Sequence, residues 1–350
     1  MKSTVGIIGG GLSGLTLAYL LEKKGIDVTV LEASPRLGGR IQTIEGDLGT
    51  PLELGATWLS DIHENLLTLL DELQIRKYPQ YTKGAALFQT KSFEPPQVFS
   101  IPEAENPSYR IVGGTQTLIN TLRERLKRTD VIFNTRVTHI SSENDGSLSV
   151  KAGEVEMQFG RVVVCIPPQL ASSIEFSAEL PSEVKQLLPM VQTWMAGAIK
   201  FVVEYKSPFW REKGFSGMLY SHADIVTEMY DHTNFEGSKF GFTGFLNGGS
   251  AGFSPEVRRS NVLRHLSGLL GNEALTPTAY FDKIWNDEYV VQGNQFIERP
   301  HQNNGHHYLL KGYVHDKIYF CGTETSTEFP GYMEGAVQSA LRVSNAIGYN

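Results

Sequence analysis

Gly9, Gly11 and Gly14 follow the spacing G-x-G-x-x-G between an apolar run, Thr4 to Ile8, and residues Leu12, Leu15, Tyr19 and Leu20 at helical spacing. At a strand-to-helix turn each glycine has a mechanical job. Gly9 permits the tight turn, Gly11 lets the backbone approach a pyrophosphate, and Gly14 lets the helix pack on the sheet, while the first N–H groups of the helix donate to phosphate. A second apolar run, Asp27 to Leu31, ends at Glu32, where a carboxylate accepts hydrogen bonds from ribose hydroxyls and favours a ribose without a 2′-phosphate. Three glycines alone are an ordinary turn; between a strand and a helix, with an acid after the next strand, they read as the cradle of an ADP-bearing cofactor. FAD and NAD share that half, so the cradle leaves the two open.

Leu37-Gly38-Gly39-Arg40 continues from Glu32-Ala33-Ser34-Pro35-Arg36. Paired glycines before an arginine let the backbone pass near the cofactor while a guanidinium pairs with phosphate, which adds Arg36, Gly39 and Arg40 to the cofactor-binding set. Taken alone, the same stretch also reads as a surface turn. Lys200 lies in Ala196 to Val203, an apolar strand pattern in which an unpaired ammonium is costly. Either a functional partner solvates it or it is an edge-strand lysine reaching water. Near the other end, Met333, Ala336, Val337, Ala340, Leu341 and Ile347 keep helical spacing with Gly348 as a stop, so a helix is expected from about Tyr332.

The elements that must position these residues need a sizeable core. With 350 residues, 41% hydrophobic and 10% aromatic, the chain has room for two domains. A formal charge of −7 disfavours attraction to nucleic acid or anionic membrane. The two cysteines, Cys165 and Cys321, sit in apolar runs and read as inert core thiols. His301, His306 and His307 lack the spacing of a metal site, so no metal is expected. With no signal peptide ahead of the first strand and no apolar run of about 20 residues, a cytoplasmic protein without membrane residence is expected.

Several of these segments together resemble the flavin-containing amine oxidases. Glu32 to Arg40 is similar to the stretch after that family's dinucleotide fingerprint, and Glu53-Leu54-Gly55-Ala56-Thr57-Trp58 to the segment beside its isoalloxazine. Arg110 to Gly114 resembles its second glycine pair, Arg136 to Ile140 the strand contacting adenine, and Val162 to Pro168 the strand leaving the cofactor domain. Tyr319 to Ala336 is very similar to its C-terminal FAD signature. The resemblance implies FAD, held by Gly55, Ala56, Val137, Gly322, Glu324, Gly331 and Met333 besides the residues above. It implies a Lys200 that reaches flavin N5 through a water, with Trp58 and Tyr332 beside the reacting amine. It also implies hydride transfer from an amine α-carbon to flavin, with oxygen reduced to hydrogen peroxide.

Two departures from the family pattern matter. Asn294 stands where monoamine oxidases carry the flavin-linking cysteine, so noncovalent FAD is expected. Tyr332 keeps one half of the family's aromatic pair, while the other falls on Gln295 or, one residue on, Phe296, which places Gln295, Phe296 and Tyr332 in an altered substrate pocket. The rival readings are a flavin dehydrogenase or desaturase with a non-oxygen acceptor, and a flavin-bound interaction or regulatory protein with a decayed pocket.

The expected fold is α/β: a Rossmann-like FAD-binding domain of residues 1–60, 107–170 and 310–350, with an inserted α+β substrate domain, 61–106 and 171–309, on a mostly antiparallel sheet. Ala198 to Tyr205, Gly217 to Tyr220, Thr227 to Tyr230 and Phe240 to Leu246 supply its strands. A helix over Asp61 to Ile75 is expected to start in an Asp61/Glu64 capping box, and another runs from Ser254 to Leu270, ended by Gly271. The glycine-rich run Gly241 to Gly252 and the segment from His301 to His307 read as loops.

Overall fold

Apolar, largely β-branched runs at both ends of the chain converge on one parallel sheet. The computed structural model describes residues 4–101, 107–177, 179–286, 288–291 and 299–348. Thr4–Ile8 lies between Asp27–Leu31 and Arg161–Val164, parallel to both. Asp130–Ile132 extends the sheet beyond Asp27–Leu31, and Ile318–Phe320 extends it beyond Arg161–Val164, again in parallel. Gly312–Tyr313 closes that edge antiparallel. Strands so buried on both faces need covers, and both exist. The helices Leu12–Lys23 and Met333–Gly348 share one core on the first face, through Leu15, Leu17 and Leu21 against Val337, Ala340 and Val343. A four-stranded sheet containing His139–Ser142, Leu148–Ala152 and Val155–Phe159 covers the second, packing Ile140, Leu148 and Val150 on Ile8, Val162 and Val164. Each such fully buried Leu, Ile or Val contributes about 1.5–3 kcal/mol.

A separate seven-stranded sheet runs in the order Ala279–Ile284, Ile199–Tyr205, Phe240–Leu246, Val226–Asp231, Phe215–Ser221, Ala85–Gln89, Gln97–Ser100. Its pairings are antiparallel except that of Phe215–Ser221 with Ala85–Gln89. The helix Pro255–Leu270 covers one face with Val262, Leu263 and Leu266 against Trp210 and Phe242. Its start is the one the spacing predicts: Ser254 accepts a hydrogen bond from the Val257 N–H at 3.4 Å, Pro255 follows, and Gly271, with φ +106°, ends it.

Four local expectations need correction. Asp61 does not cap a helix; it pairs with Lys77 at 2.6 Å and accepts from the Tyr109 hydroxyl at 2.9 Å. The helix instead spans Glu64–Glu72, and its first free N–H groups are taken by a carboxylate distant in sequence, Glu334, which accepts from Asn65 N at 3.2 Å and Leu66 N at 2.7 Å. The run from Gly241 is not a loop at its start, because Phe240–Leu246 lies between two partner strands. Gly244 there stands where a Cβ would collide with the Glu228 carbonyl, so this glycine serves close strand approach rather than a turn. Finally, Arg136 to Thr138 precede the strand, which begins at His139. Among the described residues no helix is long and apolar enough to cross a membrane.

Candidate active site

A cavity of about 680 Å³ opens at the carboxyl end of the Thr4–Ile8 strand and continues beneath the seven-stranded sheet. Its near end is made mostly of backbone. Gly9 takes φ +108°, and a Cβ on Gly14 would run into the Gly9 carbonyl oxygen, so turn and helix can meet only with glycine at both positions. Gly14 therefore sits behind the cavity, while Gly9 and Gly11 line it. Glu32, at the end of the next strand, also lines it; its two oxygens accept from Gly10 N at 2.6 Å and Ser34 N at 2.8 Å. Gly39 and Val137 complete this end.

The two arginines at this end are both engaged by protein groups. Arg36 folds its guanidinium onto its own loop, donating to the carbonyls of Ile41 at 2.9 Å and Gly39 at 2.5 Å. Arg40 donates to the Trp194 carbonyl at 3.2 Å and stands 2.7 Å from Glu324 Oε1. Both still line the cavity, but the Arg40 guanidinium braces two chain segments.

Three loops meet at the middle and far end. Gly55, Ala56 and Trp58 come from the segment after Pro51–Glu53, Gly322 and Glu324 from the turn after Ile318–Phe320, and Gly331, Tyr332 and Met333 from the start of the last helix. Thr323 Oγ1 ties the last two together by donating to the Tyr332 carbonyl at 2.8 Å. Glu324 is buried at 1% exposure, and its Oε1 forms a 2.7 Å ion pair with Arg40. A carboxylate oxygen paired with a guanidinium keeps a further lone pair that can accept from a ligand hydroxyl.

Lys200 is also in this cavity and is not an edge residue. Its strand Ile199–Tyr205 lies between Ala279–Ile284 and Phe240–Leu246, and its side chain is 1% exposed. Nζ donates to the Gly55 carbonyl at 2.6 Å and to Thr57 Oγ1, and it lies 5.1 Å from the Trp58 ring centre and 5.6 Å from that of Phe245. Burial is the main reason its pKa falls to about 7; Arg110 pushes the same way, and Glu53 and Glu228 oppose it. Glu53 is its buried counterpart, and burial raises the Glu53 carboxyl although Thr115 N and Thr43 Oγ1 both donate to it, at 2.5 and 3.0 Å.

Gln295 and Phe296, with Asn294, lie outside the described residues. The remaining expected residues other than Gly14 all line one cavity, although they come from segments up to 324 residues apart, Gly9 to Met333. Sequence reasoning missed Glu228, Phe245, Trp285 and Trp194. Trp194 stacks on His301 at 5.0 Å, and that histidine is an exposed turn residue, as the segment's composition predicts. Alternation in the strands Val226–Asp231 and Phe240–Leu246 was the available signal for Glu228 and Phe245; it identifies faces but not what each face meets.

The flavin containing amine oxidoreductase family matches this chain over two overlapping stretches, residues 12–105 and 88–348, and the chain belongs to that family. It is 25% identical to the probable flavin-containing monoamine oxidase A of Dictyostelium discoideum, over 97% of this chain and 96% of that one. It is 26% identical to the putrescine oxidase of Kocuria rosea, over 84% of each. The solved structure of cyclohexylamine oxidase from Brevibacterium oxydans has the same fold, with a TM-score of 0.86, 20% identity and coverage of 100% of this chain and 99% of that one. The protein is a flavin-dependent amine oxidase.

Proposed function

We propose that the flavin is FAD, held noncovalently, and that the protein oxidises an amine to an imine while oxygen is reduced to hydrogen peroxide. One observation carries the reading: a single cavity runs from a glycine turn suited to ADP to a lysine buried among aromatic rings. The residues present fit the cofactor. The Gly9–Gly11 turn and the first N–H groups of Leu12–Lys23 would receive the pyrophosphate, and Glu32 the adenosine ribose. Glu324, held by Arg40, would accept from a ribityl hydroxyl, and the start of Met333–Gly348 would face the ring with its positive end. When bound, the flavin accepts a hydride and returns two electrons to oxygen.

The chain's own work is to bind and orient. An alkylamine is protonated at neutral pH, and its lone pair is needed for hydride loss from the α-carbon; the apolar faces of Trp58, Phe245 and Tyr332 favour the neutral form by desolvation. Lys200, positioned by Gly55 and Thr57, would hold an ordered water at flavin N5. Assigning residues 1–60, 107–170 and 310–350 to the cofactor and 61–106 and 171–309 to substrate belongs to the same proposal, and the two large sheets support it. Noncovalent attachment is supported by Cys165 and Cys321, the only cysteines of the chain, both of which are buried.

Acid precipitation of the purified protein should leave FAD in the supernatant, and a panel of primary, secondary and polyamines should release peroxide equal to oxygen consumed. Chromophore in the pellet would refute noncovalent binding. Flavin bleaching by amines without peroxide in air would move the assignment to a dehydrogenase.

A further inference from the structure

Four carboxylates line the cavity, and three are already engaged by cations or backbone N–H groups. Glu32 is held by Gly10 N and Ser34 N, Glu324 by Arg40, and Glu288 by Arg136 at 2.8 Å. Glu228 differs. Its Oε1 accepts from the Tyr230 hydroxyl, which shares a 2.7 Å hydrogen bond with the Tyr220 hydroxyl. The Tyr230 ring is in turn set edge-on against Trp58 at 4.9 Å. The tyrosine pair thus orients the carboxylate and supplies no charge. Among the described residues Oε2 of Glu228 has no hydrogen bond, and no ion pair forms within 4.0 Å. Lys200 contributes only a longer-range attraction, since its Nζ is taken up by Gly55 and Thr57.

A carboxylate fixed in an aromatic-walled cavity with one oxygen open calls for a cation from the ligand. The reacting nitrogen of an amine cannot be that cation, because it must be neutral to lose hydride from its α-carbon. We infer that Glu228 binds a second, protonated nitrogen of the substrate, so that the preferred substrates are diamines or polyamines in which one nitrogen reacts and another is held as ammonium. This rests on the amine-oxidation reading above. Oxidation at one end leaves the far nitrogen unchanged, so Glu228 binds and positions substrate without taking part in electron transfer.

The test compares 1,4-diaminobutane with n-pentylamine, which replaces the far ammonium by a methyl group, in the wild type and in Glu228→Gln, which keeps the acceptor for Tyr230. The wild type should favour the diamine by about 100-fold in kcat/KM, and Glu228→Gln should remove about that factor, chiefly through KM, with n-pentylamine little changed. Equal rates with both amines, or equal losses on both in the variant, would overturn the inference. Calorimetric binding of 2,5-dimethylhexane-2,5-diamine, which has no α-hydrogen to lose, gives a readout independent of turnover. Its affinity should fall by a similar factor in Glu228→Gln, and an unchanged affinity would overturn the inference. If that binding depends on Glu228 while no amine reduces the flavin, the dication site stands and the oxidase reading falls.

Discussion

The two ends of the cavity are built by different means. At the near end the working groups are backbone: the Gly9–Gly14 turn, the N–H groups of the following helix, and the N–H groups of Gly10 and Ser34 that fix Glu32. At the far end they are side chains from strands and loops remote in sequence: Trp58, Lys200, Glu228, Phe245 and Tyr332. Where that turn packs on its helix, at Gly14, no atom can be added, since a new Cβ meets the Gly9 main chain, which cannot rotate away. A side-chain-built wall can change composition while its strands stay in register, so its lining can alter without cost to the near end.

Gly14→Val should have the largest effect. Its side chain would enter the Gly9 carbonyl, opening the turn, so the variant should retain little flavin per protein and lose about 3 kcal/mol of stability. Full flavin absorbance in that variant would break the contrast between the two ends.

Lys200→Met comes next, and it should slow reoxidation of reduced flavin by oxygen roughly 100-fold. Its stability has a definite sign with pH. The folded-state pKa of about 7 lies below the ordinary lysine value of 10.5, so between these limits the unfolded chain holds a proton that the folded chain has released. Wild-type stability from this group therefore rises with pH across that window, by up to about 1.4 kcal/mol per unit, and is lost as pH falls through 7. Urea unfolding at pH 7 and pH 9 should show the wild type gaining on Lys200→Met. A constant difference between the two proteins would mean that Lys200 is not buried as described.

The smallest effect is expected at Tyr332, which is 51% exposed at the cavity. Tyr332→Leu should leave stability within about 0.5 kcal/mol and raise KM for amines roughly tenfold by removing an aromatic face. A large stability loss would show that the far wall is as constrained as the near one.

Legibility followed the same division. Gly9, Gly11, Gly14 and Glu32 were readable because each does its work within a strand-turn-helix unit, and local spacing encodes that unit. The helix Pro255–Leu270 was readable for the same reason, with Ser254, Pro255 and Gly271 marking its ends. Asp61 misled because the helix after it is capped by Glu334, from the other end of the chain. The glycines from 241 misled because composition does not separate a turn from a strand whose neighbours crowd it.

The sequence by itself determined the Gly9–Gly14 turn between strand and helix and the family, because contiguous residues carry both. Tertiary structure decided what surrounds Lys200, which cavity carboxylate keeps an open oxygen among the described residues, and that Arg40 braces Glu324 and Trp194. Those relations join residues more than 100 positions apart in the chain for Arg40 with Trp194 and for Lys200 with Gly55. Their energies come from burial and from the direction of a few polar atoms, which exist only once the two sheets have closed over the cavity.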